Sequence, residues 1–363
     1  MILQIMPYGT MAVGFAEFTK NRIEKDVCFI LIRDHDSNLD QKEFDGRNET
    51  TRVIDSRVEL LSDSVCRKWI KDSEAIIVNW VDGVILSLLS PFLSKTALLF
   101  WGGDLHSFKK GLKGGFFQRA CKKAIGKLIE RAVCIITLLP GDYDELCAVC
   151  EPRGKWFLGA IMTSEKSQIK IERSARSQST PRRILVGNSS TRTNRHKEAF
   201  ELLSRYKNED IEVCVPLSYG DDAYRSEVLE EGGRIFGEKF KPLLQMMEAQ
   251  EYLDFLGTIA VGVFNHNRQQ GMGNIQRLLA YGAKVYVSQE GPMLKDFTDE
   301  GFCLYPTESI RCLEFEDFLA MDESDRMSNN ETADFANMAH HAVELWSEIY
   351  RYLRSLQRSH AES

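Results

Sequence analysis

The stretch from Val261 to Tyr286, VGVFNHNRQQGMGNIQRLLAYGAKVY, decides how the chain is read. The apolar run Ile259 to Phe264 is short enough for a buried strand. It enters a polar, glycine-bearing turn of Asn265, His266, Asn267, Arg268, Gln269, Gln270, Gly271, Met272, Gly273 and Asn274. Ile275, Leu278 and Leu279 then recur at helical spacing, Gly282 is placed to end that helix, and Val285 to Val287 starts another strand. A turn between strand and helix leaves backbone N–H groups at the helix N-terminus, where the helix dipole also favours an anion. Arg268 adds forked donors suited to phosphate oxygens. The glycines alone fit an ordinary packing turn equally well, because short glycine motifs are weak signals.

Outward from this stretch, a second turn of the same kind lies upstream. Arg183 to Val186 reads as a strand, entering Gly187, Asn188, Ser189, Ser190, Thr191, Arg192, Thr193, Asn194 and Arg195 before a helix over Glu198 to Tyr206. Hydroxyls, amides and two guanidinium groups are what a diphosphate needs; Ser or Thr as a helix cap is the plainer account. A strand over Ile211 to Val215 ends in Pro216, Leu217, Ser218, Tyr219 and Gly220. A helix over Asp222 to Glu231, a strand over Arg234 to Phe236, a turn over Gly237 to Phe240 and a helix over Pro242 to Leu256 complete the approach to the opening stretch. Residues 331–357 read as a long amphipathic helix. Residues 163–183, rich in Ser, Thr, Gln, Lys and Arg without a core-building period, read as a linker.

Residues 1–162 read as another α/β domain. Apolar runs at Ile2 to Met6, Val27 to Ile32, Ala75 to Val81, Thr96 to Trp101, Val133 to Leu139 and Trp156 to Met162 are continuous rather than alternating, as in parallel strands covered on both faces. The run TALLFW enters Gly102, Gly103, Asp104, Leu105 and His106. Asp104 at a strand's carboxyl end is a candidate general base, with His106 beside it; capping the next helix is the competing role of Asp104. Phe108 to Arg131 is the most basic segment: Lys109, Lys110, Lys113, Arg119, Lys122, Lys123, Lys127 and Arg131 stand against Glu130, with Phe116 and Phe117 interleaved. Such a segment can lie on an anionic membrane, or be a solvated surface helix.

Composition sets the bounds. The 363 residues are 43% hydrophobic and carry a formal net charge of −7, which argues against a general nucleic-acid binder. The nine scattered cysteines are expected to be mostly reduced, buried thiols of a cytoplasmic protein, and Cys147 and Cys150 lack a second pair to complete a zinc site. The opening MILQIMP has no basic n-region of a signal peptide, and no apolar run is long enough to span a bilayer.

Two α/β domains joined by a linker fit the GT-B arrangement, with two Rossmann-like domains facing a cleft. WGGDL (101–105), ILVGNSSTRTNRH (184–196), VPLSYG (215–220), EYLDFL (251–256) and FNHNRQQGMGNI (264–275) together resemble glycosyltransferase family 56. The resemblance implies transfer of 4-acetamido-4,6-dideoxy-D-galactose (Fuc4NAc) from a dTDP-sugar to a polyprenyl-diphosphate-linked saccharide. It implies a place in enterobacterial common antigen or O-antigen synthesis, peripheral on the cytoplasmic face of the inner membrane. It further implies an acceptor-side domain over 1–162, a nucleotide-sugar domain over 184–330, and a closing helix over 331–363 that crosses both. GT-B enzymes generally need no metal, and no cofactor is expected. The donor would then contact Gly187, Asn188, Ser189, Arg192, Arg195, Tyr219, Asn265, Arg268, Gln269, Gln270, Gly271, Gly273 and Asn274, with the base near Phe236 and Gly237. Lys109, Lys110, Phe116, Phe117, Lys122 and Lys123 would meet the membrane. A sugar-nucleotide epimerase of the same shape, or a non-catalytic partner in glycan assembly, are the alternatives.

Overall fold

The computed structural model describes residues 1–33, 49–163 and 181–361. The chain divides into two compact units, Met1–Ile169 with Phe335–Ser363, and Lys170–Asp334. Each is an α/β unit built on one parallel sheet. The expected linker falls largely on residues 164–180, outside the described residues; Arg182 and Arg183 already belong to a strand.

The first unit holds seven strands: β1 (Ile2–Pro7), β2 (Val27–Ile32), β3 (Thr51–Ile54), β4 (Ala75–Asn79), β5 (Thr96–Phe100), β6 (Cys134–Thr137) and β7 (Lys155–Leu158). They lie in the order β3-β2-β1-β4-β5-β6-β7, so the chain winds outward one way and then reverses between β1 and β4. The apolar runs predicted six of these strands. β2, β4, β5 and β6 are buried along their whole length, which is why their hydrophobicity is continuous. β3 has no such signal, because TRVI is a short edge strand with two half-buried residues.

The closing helix runs from Phe335 to Ala361, not from residue 331, since Glu323–Thr332 form a helix of their own. Trp346, Ile349, Tyr350 and Leu353 complete the core that Ile2, Phe15, Phe29, Ile77 and Leu99 begin. Trp346 Nε1 donates to the Ala160 carbonyl at 2.7 Å, and Gln4 Nε2 to the Tyr350 hydroxyl at 2.7 Å. The helix is therefore an element of the first unit.

The second unit holds β8 (Arg182–Val186), β9 (Ile211–Pro216), β10 (Phe240–Leu243), β11 (Ile259–Phe264), β12 (Lys284–Val287) and β13 (Tyr305–Pro306), in the order β10-β9-β8-β11-β12-β13. Two expectations are corrected here. Arg234 to Phe236 is no strand but the last turn of the helix Asp222–Phe236, and the strand comes later, at Phe240–Leu243. The glycine pair hid this helix: a Cβ on Gly232 would meet the Phe240 ring at 2.3 Å, so glycine there lets the helix lie against β10. The helix expected over Pro242 to Leu256 starts only at Ala249, and Pro242 sits in β10, an edge strand that tolerates the missing N–H.

Candidate functional site

In the second unit the turns leaving β8 and β11 are sewn together by buried side chains. Gly187 turns the chain with φ 66°, and a Cβ there would stand 2.7 Å from Asn194 Oδ1. Asn194 is fully buried and acts as a hub. Its Oδ1 accepts from Asn188 N at 3.1 Å, and its Nδ2 donates to the Ser189 carbonyl at 2.8 Å. His266 Nε2 lies 2.7 Å from the same Asn194 Oδ1, and His266 Nδ1 lies 3.0 Å from the Gln270 carbonyl. Burial, then the neighbouring Arg268 charge, pushes the His266 pKa down to about 3. The ring is neutral at pH 7 and donates to one of those oxygens at a time.

A second chain of bonds starts at Arg268. Its Nε donates to Thr193 Oγ1 at 3.2 Å, and Thr193 Oγ1 donates to Gln270 Oε1 at 2.6 Å. Gln270 Nε2 in turn donates to Asn188 Oδ1 at 2.9 Å and Thr191 Oγ1 at 2.8 Å. Asn188 Nδ2 reaches the Tyr219 hydroxyl at 2.9 Å, which brings in the turn after β9. Gly271, at φ 67°, starts the helix Met272–Ala280, and its missing Cβ leaves room for His266 Cε1 at 3.0 Å and Asn188. The result is a rigid polar floor with a helix N-terminus and a guanidinium group on it, an arrangement that can hold an anion.

Gly187, Asn188, Ser189, Tyr219, Arg268, Gln270 and Gly271 thus come together as the sequence led one to expect. Gly273 and Asn274 stand in the first turn of the same helix, where Asn274 Nδ2 donates to the Tyr252 hydroxyl at 2.9 Å. Asn265 and Gln269 are buried beside them; Asn265 Oδ1 accepts from Thr307 Oγ1 at 2.9 Å, and Gln269 Oε1 has no partner among the described residues. Arg195 adopts a left-handed backbone with φ 52° and pairs with Glu290 at 2.6 Å, tying in the turn after β12. Arg192 is placed elsewhere: it is exposed, pairs with Glu227 at 2.6 Å and lies over the Tyr224 ring at 4.9 Å. Phe236 and Gly237 are also corrected. They precede the first residue of β10, at the amino end of the strands, and Phe236 is buried against Phe200. The residues that follow the carboxyl end of β10 are Leu244 and Met246, both exposed. Thr193, Asn194 and His266 were overlooked as individuals, although the density of amides and hydroxyls around them was the available signal.

In the first unit, Asp104 is buried and, among the described residues, accepts from backbone alone. Its Oδ1 takes Trp101 N at 3.0 Å and Leu105 N at 2.9 Å, and its Oδ2 takes Val81 N at 2.7 Å. Burial pushes its pKa up to about 6 against the pull of those N–H groups. The geometry is that of a clamp joining the turns after β4 and β5. His106 is half-buried in the first turn of the helix Gly103–Leu112.

The basic segment splits into that helix and a second one, Phe116–Ile129. Phe116 and Phe117 are 83% and 79% exposed. Two of the expected membrane lysines are committed to the protein: Lys109 pairs with Glu145 at 2.7 Å, and the Lys122 stem fills the space left by Gly111. Lys110, Lys113, Arg119 and Lys123 remain exposed. No helix among the described residues is long and apolar enough to cross a membrane.

Comparison with known proteins agrees with this layout. The chain is similar in structure to the α,α-trehalose 6-phosphate synthase of Burkholderia multivorans, with TM-score 0.66 and 10% identity, covering 99% of this chain and 97% of that one. It is also similar to the sucrose-phosphate synthase of Thermosynechococcus elongatus, with TM-score 0.64 and 15% identity, covering 100% of both chains. At such identities these likenesses speak for the fold alone, the two-unit α/β fold of GT-B type. The model of the family described as 4-alpha-L-fucosyltransferase, glycosyl transferase group 56, matches residues 77–327, from within β4 to beyond β13. That span takes in both the Asp104 clamp and the two sewn turns, and the chain belongs to this family of glycosyltransferases.

Proposed function

We propose that the protein transfers a 4-acetamido-4,6-dideoxyhexose, Fuc4NAc or a close relative, from a dTDP-sugar to a polyprenyl-diphosphate-linked saccharide. The reaction serves bacterial surface polysaccharide synthesis, of the enterobacterial common antigen or O-antigen kind. The observation that carries this reading is the polar floor of Asn188, Thr193, Asn194, His266 and Gln270 under Arg268 and the N-terminus of Met272–Ala280. The donor diphosphate rests there, its developing charge met by helix N–H groups and Arg268 as the sugar leaves. Gln269 Oε1, buried and unpartnered, takes a donor group of the sugar or nucleotide. The nucleotide base lies beyond β10 near Leu244 and Met246. His106 is the base that takes the acceptor hydroxyl proton, and Asp104 holds the turn that carries it.

The two arginines give the test. Arg268→Ala loses a charge-assisted contact worth roughly 1.5–3 kcal/mol, so donor affinity should fall by about ten- to hundred-fold. Arg192→Ala, whose partner is Glu227, should leave donor affinity within about two-fold, as a surface pair contributes little. Calorimetric titration of both variants with dTDP reads the result; equal effects would remove Arg268 from the diphosphate site. The same enzyme with candidate dTDP- and UDP-sugars should release nucleotide only when lipid extract is added. Sugar isomerisation without lipid would instead mark an epimerase.

The acceptor is fixed in the bilayer, so the enzyme works as a peripheral protein on its cytoplasmic face. Phe116 and Phe117 enter the headgroup region, and Lys110, Lys113, Arg119 and Lys123 meet anionic lipid, each adding about 1 kcal/mol that salt screens. Sedimentation with anionic liposomes should be partly reversed by high salt. It should be abolished when Phe116 and Phe117 are replaced by Glu, with donor binding unchanged. Reversing Lys109, already paired with Glu145, should matter less than reversing Lys123. Wild-type sedimentation of the double Phe variant would leave this helix a solvated surface.

A further inference from the structure

Directly after β4 the backbone of Trp80 turns with φ 62°, a left-handed conformation that costs a bulky residue free energy. Glycine would make this turn without that cost, because the backbone bond made there, Trp80 N to the Leu99 carbonyl at 3.0 Å, needs no side chain. The strained residue instead carries an indole that is 37% exposed. Its ring meets that of Trp101 edge to face, with centroids 6.3 Å apart and an 83° angle between planes. Trp101 carries a cost of its own: its indole N–H is buried with no partner among the described residues. Asp104 holds both residues in register, taking the N–H of Trp101 itself and that of Val81, next to Trp80.

The place matters as much as the strain. β4 pairs with β1, and strand order reverses between them. In open α/β sheets ligands lie outside the carboxyl ends of the strands at such a reversal. Strained backbone likewise gathers at ligand clamps. An indole face is apolar and electron-rich, so it suits the C–H face of a sugar ring, which carries weak positive charge. A phosphate or a carboxylate would be repelled by that face. We propose that Trp80, braced by Trp101 and by the Asp104 clamp, is the stacking platform for a sugar ring of the acceptor saccharide. The assignment to the acceptor rests on the transferase reading above.

Trp80→Gly separates the platform from a structural role, because glycine relieves the backbone strain while removing the ring. The melting temperature should stay equal or rise, and dTDP-sugar affinity should stay within about two-fold. KM for the lipid-linked acceptor should rise by at least about ten-fold, and Trp80→Phe should recover most of the loss. Intrinsic fluorescence gives an arm independent of turnover: a soluble N-acetylhexosamine disaccharide should quench the wild type saturably and Trp80→Gly far less. A wild type that transfers to no lipid acceptor yet shows this quench would overturn the transferase reading and keep the platform. A Trp80→Gly protein with unchanged acceptor KM, or unchanged quenching, overturns the platform. So does a rise in donor KM with acceptor KM unchanged.

Discussion

Asp104→Ala is expected to destabilise the first unit by about 3 kcal/mol or more, since it strands the N–H groups of Val81, Trp101 and Leu105 with no acceptor, each worth roughly 1–3 kcal/mol when buried. That is a large share of the 5–15 kcal/mol that typically holds a domain together. Transfer should fall with it, because the clamp sets the turn that carries Trp101 and His106. The pH dependence separates this role from that of a base. The folded-state pKa of about 6 lies above the ordinary 3.8, so the folded state holds the proton more tightly than the unfolded one. The stability this contributes is complete below pH 3.8, is lost as pH rises through about 6, and changes no further above it. Thermal melts of Asp104→Asn should lack that slope and lie below the wild type throughout, because its amide presents N–H to a backbone N–H. A variant with wild-type melting and a rate lower by about 10²–10⁴ would instead make Asp104 the general base.

The second large effect is expected at Gly187. An alanine Cβ there would stand 2.7 Å from Asn194 Oδ1 and 2.9 Å from His196 Nε2, on a backbone with φ 66°. Asn194 cannot swing aside without giving up Ser189 and Asn188. Overpacking of roughly 1–3 kcal/mol adds to left-handed strain of roughly 1–2 kcal/mol. Melting temperature and donor affinity should drop together, as the floor under Arg268 shifts. Gly237→Ala is the matched control: its φ is 56°, but the added Cβ meets nothing within 4 Å. It should cost the backbone strain alone and leave dTDP binding unchanged. If Gly187→Ala binds dTDP like the wild type, the turn after β8 is not the donor floor. If Gly237→Ala loses dTDP, the site extends to the amino end of β10 after all.

Much of this is legible in the sequence itself. Parallel strands buried on both faces print themselves as runs such as VCFILI and AIIVN, and both glycine turns were found from strand, polar break and helix in succession. What the sequence hid was decided by pairing across the fold. The helix Asp222–Phe236 carries two glycines and reads as broken, yet Gly232 is small because Phe240 lies on it. Arg192 and Arg268 look alike in their turns; Glu227 on a later helix holds the exposed Arg192, while Thr193 on the other turn and the Gln269 carbonyl hold the half-buried Arg268. Asp104 offered cap and base equally, and the choice turned on Val81, which lies on another loop. Local chemistry named the turns, while the partners of each side chain depended on contacts across long sequence separations.

The closing helix has a consequence for synthesis. Trp346, Ile349 and Leu353 belong to the same core as Ile2 and Phe15, and Arg354 bonds Glu24 at 2.8 Å, so the first unit is interrupted by the second in chain order. During translation at about 5–20 residues per second, the sheet begun by β1 waits roughly fifteen to sixty-five seconds for the segment that covers it, which starts at Phe335. The second unit, made in one uninterrupted stretch from Lys170 to Asp334, leaves the ribosome complete while the first still exposes Phe15, Phe29 and Leu99. A chain ending before Phe335 therefore holds the whole of the second unit but a first unit whose core is unsealed, the state a chaperone would meet.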